Sequence, residues 1–269
     1  MGIQTKKELL VIKLGGSVIT YKDSQIPKPR FNVIRRIAKE ILALQKLGYK
    51  IILIHGGGSF GHNLAKKYEL IKGLRSKQSM TGFSRLLQSM NKLNLIITEV
   101  FRKLNLPIVS LPPHSFITQE SGKLKFFDTR VIKQIINLGF IPVLYGDGVL
   151  DKNLGCSIIS GDTIATYLGK KLKTKKVIFL SDVDGIFDNN PNNPNAKLIP
   201  EINNGNFDGV FMGIKSTGRN DVTGEMAGKL FAIKTQLKKT KVKIINGNKK
   251  GNLEKAVNDQ KTGTTLFFN

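Results

Sequence analysis

Three groups of glycine-bearing turns, each set against an apolar run, hold the residue types that can do chemistry. The first is Lys13-Leu14-Gly15-Gly16-Ser17, and the second is His55-Gly56-Gly57-Gly58-Ser59-Phe60-Gly61-His62. The third comprises Ser160-Gly161-Asp162, Ser181-Asp182-Val183-Asp184-Gly185 and Asp221-Val222-Thr223-Gly224-Glu225-Met226-Ala227-Gly228-Lys229. Glycine lets backbone N–H groups approach phosphate oxygens, and a helix starting there adds its dipole. A lone Gly-Gly is more often a plain tight turn, but Lys13 lies in an otherwise apolar strand, where a buried lysine needs an anion. Three successive glycines cost conformational entropy, which points to a ligand or another backbone in close approach. Ser59 is suited to cap a helix, putting His62 about one turn on, where its ring can donate to an anion. His55 reads as a structural histidine. Asp182 and Asp184 fall at the end of a buried strand, where ligands gather in open α/β sheets. No zinc-ligand spacing, Walker A sequence, Gly-x-Ser-x-Gly elbow or protein-kinase catalytic loop is present.

The elements that must position these turns alternate between strand and helix. Leu9 to Leu14, Ile51 to Ile54, Ile108 to Leu111, Ile141 to Tyr145, Val177 to Leu180, Val242 to Ile245 and Thr264 to Phe268 read as strands. Helical periodicity covers Asn32 to Leu47, Thr81 to Leu104, Val131 to Leu138, Asp162 to Leu172 and Ala227 to Leu237. Phe116 to Phe127, with Ser121-Gly122 at its middle, predicts a β-hairpin, and the Asn/Pro-rich stretch from Asp188 to Asn206 a loop with short strands. This alternation predicts an α/β fold, an open and mostly parallel sheet sandwiched between helices. A boundary near residues 150 to 175 divides it into two lobes of one continuous sheet.

The chain has 269 residues, 40% hydrophobic and 23% charged, which is globular composition with enough length for one large domain. No apolar run spans a bilayer and no signal-peptide pattern opens the chain, so a cytoplasmic protein is expected. The single cysteine, Cys156, excludes an intrachain disulfide and agrees with that placement. Lys and Arg total 43 against 19 acids, a net charge of +24. Nucleic-acid binding, steering of anionic substrates and plain compositional bias all give such an excess. The lysines are dispersed, and clusters such as Lys170 to Lys176 fall at helix ends, which favours bias with mild steering. Aromatic residues are 7% with no Trp, so base stacking has little support.

Taken in order, Lys13-x-Gly-Gly-Ser, His55-Gly-Gly-Gly, Ser160-Gly-Asp, Asp182-Val-Asp-Gly and Asp221-Val-Thr-Gly through Gly228-Lys229 resemble the motifs of the amino acid kinase superfamily. Gly-Gly-Ser-Val-Ile-Thr followed by His-Gly-Gly-Gly-Ser-Phe-Gly-His is similar to its archaeal-type isopentenyl phosphate kinase branch, which His62 separates from the acetylglutamate, aspartate, uridylate and carbamate kinases. The resemblance implies one kinase domain over residues 1–269, with an acceptor-binding lobe of about 1–155 and a nucleotide-binding lobe of about 156–269. It implies ATP-dependent phosphorylation of isopentenyl phosphate in isoprenoid synthesis, with Mg²⁺ and a homodimer. A kinase of another small phosphate or phosphonate, and a basic nucleic-acid-binding or regulatory protein without turnover, are the alternatives.

Position by position, the resemblance sets Gly15, Gly16 and Ser17 against the ATP phosphates, Lys13 on the transferring phosphoryl group, and Lys22 as the transition-state lysine. Gly58, Asp182, Gly224, Gly228 and Lys229 match nucleotide positions, Asp162 the residue that orients the lysines, and Gly57, His62 and Gly161 the acceptor-phosphate positions. Two departures are Glu225, for the second glycine of the Thr-Gly-Gly turn, and Leu87, where relatives commonly have histidine. The apolar stripe Phe83, Leu86, Met90, Leu93 and Ile97 is expected to line the acceptor's tail, with Phe83 and Met90 as substrate-binding residues, although ordinary core explains the same spacing.

Overall fold

The computed structural model describes residues 8–22, 24, 26–216 and 225–269, and of Lys215, Ser216 and Glu225 the backbone alone. Its centre is formed by apolar runs buried on both faces, as parallel strands require. These are β1 (Leu9–Leu14), β2 (Lys50–His55), β3 (Ile108–Ser110), β6 (Ile141–Tyr145), β9 (Lys176–Ser181) and β11 (Lys241–Asn246). With β10 (Glu201–Ile202) and β12 (Thr264–Leu266) they make an eight-stranded sheet in the order β10-β12-β11-β9-β1-β2-β6-β3. Its pairs are parallel except β11–β12. The sheet is continuous across the halves of the chain, because β1 pairs with β2 on one side and β9 on the other.

Alternation along β1 feeds two cores. Leu10, Ile12 and Leu14 face α2 (Phe31–Lys46), α4 (Lys77–Arg102) and α9 (Asn252–Val257), meeting Ile37, Ile41, Leu93, Ile97 and Leu253. Val11 faces α5 (Arg130–Asn137), α6 (Gly161–Lys171), α7 (Phe207–Ser216) and α8 (Glu225–Gln236), among Ile132, Ile164, Leu168 and Ile233. Each such side chain buried contributes about 1.5–3 kcal/mol. Two short helices, α1 (Gly16–Ile19) and α3 (Gly58–Lys67), begin directly at the glycine turns.

A second sheet flanks this frame. The expected hairpin, β4 (Ile117–Glu120) with β5 (Lys123–Phe127), joins β7 (Asp147–Asp151) and β8 (Gly155–Ile159) in the order β5-β4-β7-β8. The β7–β8 hairpin, α7 and α9 were not foreseen. The stretch read as a loop carries only β10 and the isolated Phe187–Leu198 bridge. Helix α4 starts at Lys77, a turn before its apolar stripe, because Ser76 and Ser79 form a reciprocal capping box. No helix among the described residues is long and apolar enough to cross a membrane.

Candidate active site

Parallel pairing brings the turns together. Leu14 pairs with His55, so the turns after β1 and β2 leave the sheet at the same level. Each turn begins with a backbone bond to the neighbouring strand: Gly15 N–H to Leu180 O (2.8 Å), Gly56 N–H to Leu14 O (2.9 Å), Gly146 N–H to His55 O (2.9 Å) and Gly247 N–H to Ser181 O (2.7 Å). The first two turns then press against each other. A Cβ on Gly16 would lie 2.4 Å from Gly58 N, and one on Gly58, at φ +48°, would lie 2.1 Å from Thr20 Oγ1. Neither position admits a side chain. Gly161, the first residue of α6, comes in from the other side, where a Cβ would be 3.1 Å from His55 O and 3.4 Å from Lys13 Cε.

Above these turns lies a charged triad. Lys13 Nζ is 2.8 Å from Asp162 Oδ1, and Lys229 Nζ is 3.1 Å from Asp162 Oδ2. Ser160 caps α6, its hydroxyl accepting from Thr163 N–H at 3.0 Å, which fixes Asp162 in the first turn. Burial pushes the Asp162 carboxyl up, but the Lys13 and Lys229 ammonium groups outweigh it and hold the group well below the usual carboxylate range. One carboxylate shared by two ammonium groups leaves a net positive charge beside turns of backbone amides, which suits a phosphate.

The remaining described candidates lie on or beside α1, α3, β9 and α8. Ser17 is half-buried in α1, and Lys22 is exposed in the segment that follows it. His62 is exposed on α3, one turn after Gly58, but the helix is capped by Gly57 and not by Ser59. The helix starts two residues earlier than a Ser59 cap would give, with Gly58 at φ +48° as its first residue. Asp182 is exposed just past β9, whereas Asp184 is engaged by Lys249 at 2.7 Å and by Asn246 Nδ2–H at 3.0 Å. Gly228 is exposed on α8 with nothing within 4 Å of an added Cβ, so packing does not demand a glycine there. Gly224 lies outside the described residues.

Among the apolar candidates, Phe83 is half-buried, and its ring would be 2.6 Å from a Cβ on Gly148. Met90 is 1% exposed, and its Sδ lies 3.2 Å and 3.1 Å from where Gly57 and Gly61 would carry a Cβ. It therefore forms a floor beneath the second turn, and with Leu86, Leu93 and Ile97 belongs to the core.

His55 is the structural histidine the sequence suggests, whereas Gly146, Asp147 and His114 escaped the sequence reading. His55 is buried, stacks on Tyr145 with centroids 5.1 Å apart, and meets Gly56 O and Asn94 Oδ1 at 3.0 and 3.3 Å. Burial lowers its pKa to about 4, so the ring is neutral. Gly146, visible in sequence only as a glycine after a strand, packs against Gly161 N, 3.0 Å from its Cβ position. Beside it, Asp147 is 2.7 Å from His114 Nδ1, a pair no spacing announces. Among the described residues no group of three or more His, Cys, Asp or Glu side chains could hold a metal ion.

A sheet with glycine turns at the carboxyl ends of adjacent strands and a Lys–Asp–Lys triad beside them defines a class of phosphate-handling α/β enzymes. The sequence model of the amino acid kinase family matches residues 8–246, and the chain belongs to that family. It is 35% identical to the isopentenyl phosphate kinase of Methanocaldococcus jannaschii, with 97% of this chain and 99% of the relative covered. It is 34% identical to that of Methanothermobacter thermautotrophicus, with 93% and 95% covered. A solved isopentenyl phosphate kinase superposes with a TM-score of 0.81 at 31% identity, covering 96% of this chain and 99% of the other.

Proposed function

We propose that this chain transfers the γ-phosphoryl group of ATP to the phosphate of isopentenyl phosphate, giving isopentenyl diphosphate and ADP. The observation that carries this reading is the close apposition of the Gly15-Gly16 and Gly56-Gly57-Gly58 turns beside the Lys13–Asp162–Lys229 triad, which gathers backbone and ammonium groups at one place. The kinases named above, similar over nearly their whole length, supply the acceptor.

In this reading the N-terminal lobe holds the acceptor and the C-terminal lobe the nucleotide. Gly15, Gly16, Ser17, Gly58, Asp182, Gly224, Gly228 and Lys229 contact ATP, and Gly57, His62 and Gly161 the acceptor phosphate. An acceptor phosphate oxygen attacks the γ-phosphorus as the bond to the bridging oxygen of ADP breaks. A phosphate monoester is largely dianionic near neutral pH and needs no general base. The obstacle is repulsion between two anions, which Lys13, Lys22, Lys229 and His62 offset. Mg²⁺ enters as part of the MgATP substrate, on the nucleotide's own oxygens. A cytoplasmic homodimer is the corresponding proposal for location and assembly.

The test is purified protein with MgATP and a panel of phosphomonoesters and phosphonates, followed by ³¹P NMR. Isopentenyl phosphate should give a diphosphate product with the highest kcat/KM of the panel. A different preferred acceptor would keep the kinase and remove the isopentenyl assignment, while no turnover on any acceptor would remove both.

A further inference from the structure

We propose that Thr20 is a positioning residue that locks the two glycine turns to one another, a role that rests on the phosphoryl transfer proposed above. Thr20 is fully buried. Its hydroxyl donates to Gly16 O at 2.8 Å, inside the first turn, and accepts from Ser59 N–H at 3.2 Å, just past the second. One hydroxyl thus spends its donor on one turn and its acceptor on the other. The Thr20 backbone N–H also reaches Gly16 O, at 2.9 Å, so this carbonyl is held twice by the same residue.

The second turn needs that acceptor. Helix α3 starts from Gly57, which has no side chain, and no side-chain cap bond is made there. The first amides of a helix have no partner within it. Ser59 N–H finds its partner in Thr20, which therefore caps α3 from another element. Thr20 Oγ1 also occupies the space a Gly58 side chain would need. In the chain, Thr20 closes α1 and stands two residues before Lys22, with a β-bridge to Pro29 steadying the segment.

The hydroxyl engages Gly16 through its carbonyl and Ser59 through its amide, so the N–H groups of the glycines themselves stay available to a phosphate. What depends on Thr20 is the distance between the turns. Misplacing one reacting group by about 1 Å costs a rate factor of about 100 even when binding is intact.

The experiment compares Thr20→Val, which keeps the shape and loses the hydroxyl, with Thr20→Ser, which keeps the hydroxyl, and adds Thr20→Ala. Ser and Ala differ by the oxygen alone, so this pair decides the question if the valine variant does not fold. Expected for Val and Ala is a fall in kcat of about 10- to 100-fold per folded enzyme. KM for ATP and for isopentenyl phosphate should each stay within about threefold, and Thr20→Ser should stay within about threefold of wild type. Amide exchange at Ser59 should speed up in Val and Ala and not in Ser.

Unchanged kcat in Thr20→Val, an equal loss in Thr20→Ser, or a rise in KM alone would each overturn the proposal. If wild-type protein does not phosphorylate isopentenyl phosphate, the functional reading fails by itself. Ser59 exchange then still decides whether Thr20 joins the turns, unchanged exchange overturning the lock.

Discussion

Lys13 comes from the first strand and Asp162 from the first turn of α6, the helix after β8, and the two meet at 2.8 Å. Lys229 adds a second ammonium on the other carboxylate oxygen, at 3.1 Å. This arrangement holds two lysines ready for an anion while keeping their mutual repulsion in check.

Asp162→Asn keeps the volume and removes the charge. Leaving partly buried lysines without their counter-ion should cost about 3–5 kcal/mol of stability in the absence of nucleotide. The folded carboxyl titrates below its unfolded value, so its contribution is present above about pH 4 and is lost as pH falls toward the folded pKa. Urea unfolding of both proteins from pH 7 to pH 3 measures this. The asparagine variant should be weaker at pH 7 and lose less on acidification, and equal curves would refute the counter-ion role.

Lys22→Ala should lower turnover far more than it weakens ATP binding. Its exposed ammonium makes no part of the Lys–Asp–Lys triad, and in the proposed mechanism its charge matters most as the phosphoryl group moves. Steady-state kinetics with a separate nucleotide-binding titration separates the two, and a fall in affinity at constant kcat would reduce Lys22 to a binding residue.

Met90→Ala bears on the expected pocket wall. Because Met90 is 1% exposed under Gly57 and Gly61, the variant should lose about 2–5 kcal/mol of stability and bind the acceptor less tightly. The kcat/KM ratio between geranyl and isopentenyl phosphate should hold. A changed ratio at unaltered melting temperature would instead make Met90 a specificity residue.

His55 gives the protein a built-in acid sensitivity. Its folded pKa of about 4 lies below the ordinary 6.5, so the unfolded chain binds a proton first as pH drops. Stability from this residue is complete above pH 6.5 and falls by about 3 kcal/mol on the way to pH 4. His55→Gln should flatten that part of the pH–stability curve, measured by chemical unfolding at half-unit intervals. A variant curve parallel to wild type would refute the assignment.

The central strands were legible because burial on both faces leaves an unbroken apolar run, as in Leu9 to Leu14 and Ile141 to Tyr145. The glycine turns were legible because three glycines in a row have few structural uses. The β7–β8 hairpin was not, since Asp147, Gly148 and Gly155 dilute its five-residue strands below any pattern. Helix α9 has six residues, too few for a helical period to repeat. Within the site, Lys13 announced itself as a charge in an apolar strand. Its partnership with Asp162 and Lys229 is legible only through the family resemblance, because those residues are separated from it by most of the chain. Thr20 and Gly146 look like ordinary polar and turn residues, and their importance comes only from what the sheet sets beside them.

The turns are rooted in the sheet by main-chain bonds from Gly15, Gly56, Gly146 and Gly247 to the adjacent strand. Adjacent strands stand about 4.8 Å apart, a pitch fixed by peptide geometry and insensitive to side-chain identity. The sheet therefore works as a ruler. With the turns proposed for donor and acceptor on neighbouring strands, the spacing of their roots is calibrated by the backbone, and Thr20 has only their tips left to fix. Evolution can then recarve the tail cavity or exchange surface charge without recalibrating the step between the two phosphates, and a new acceptor can be adopted through side chains alone.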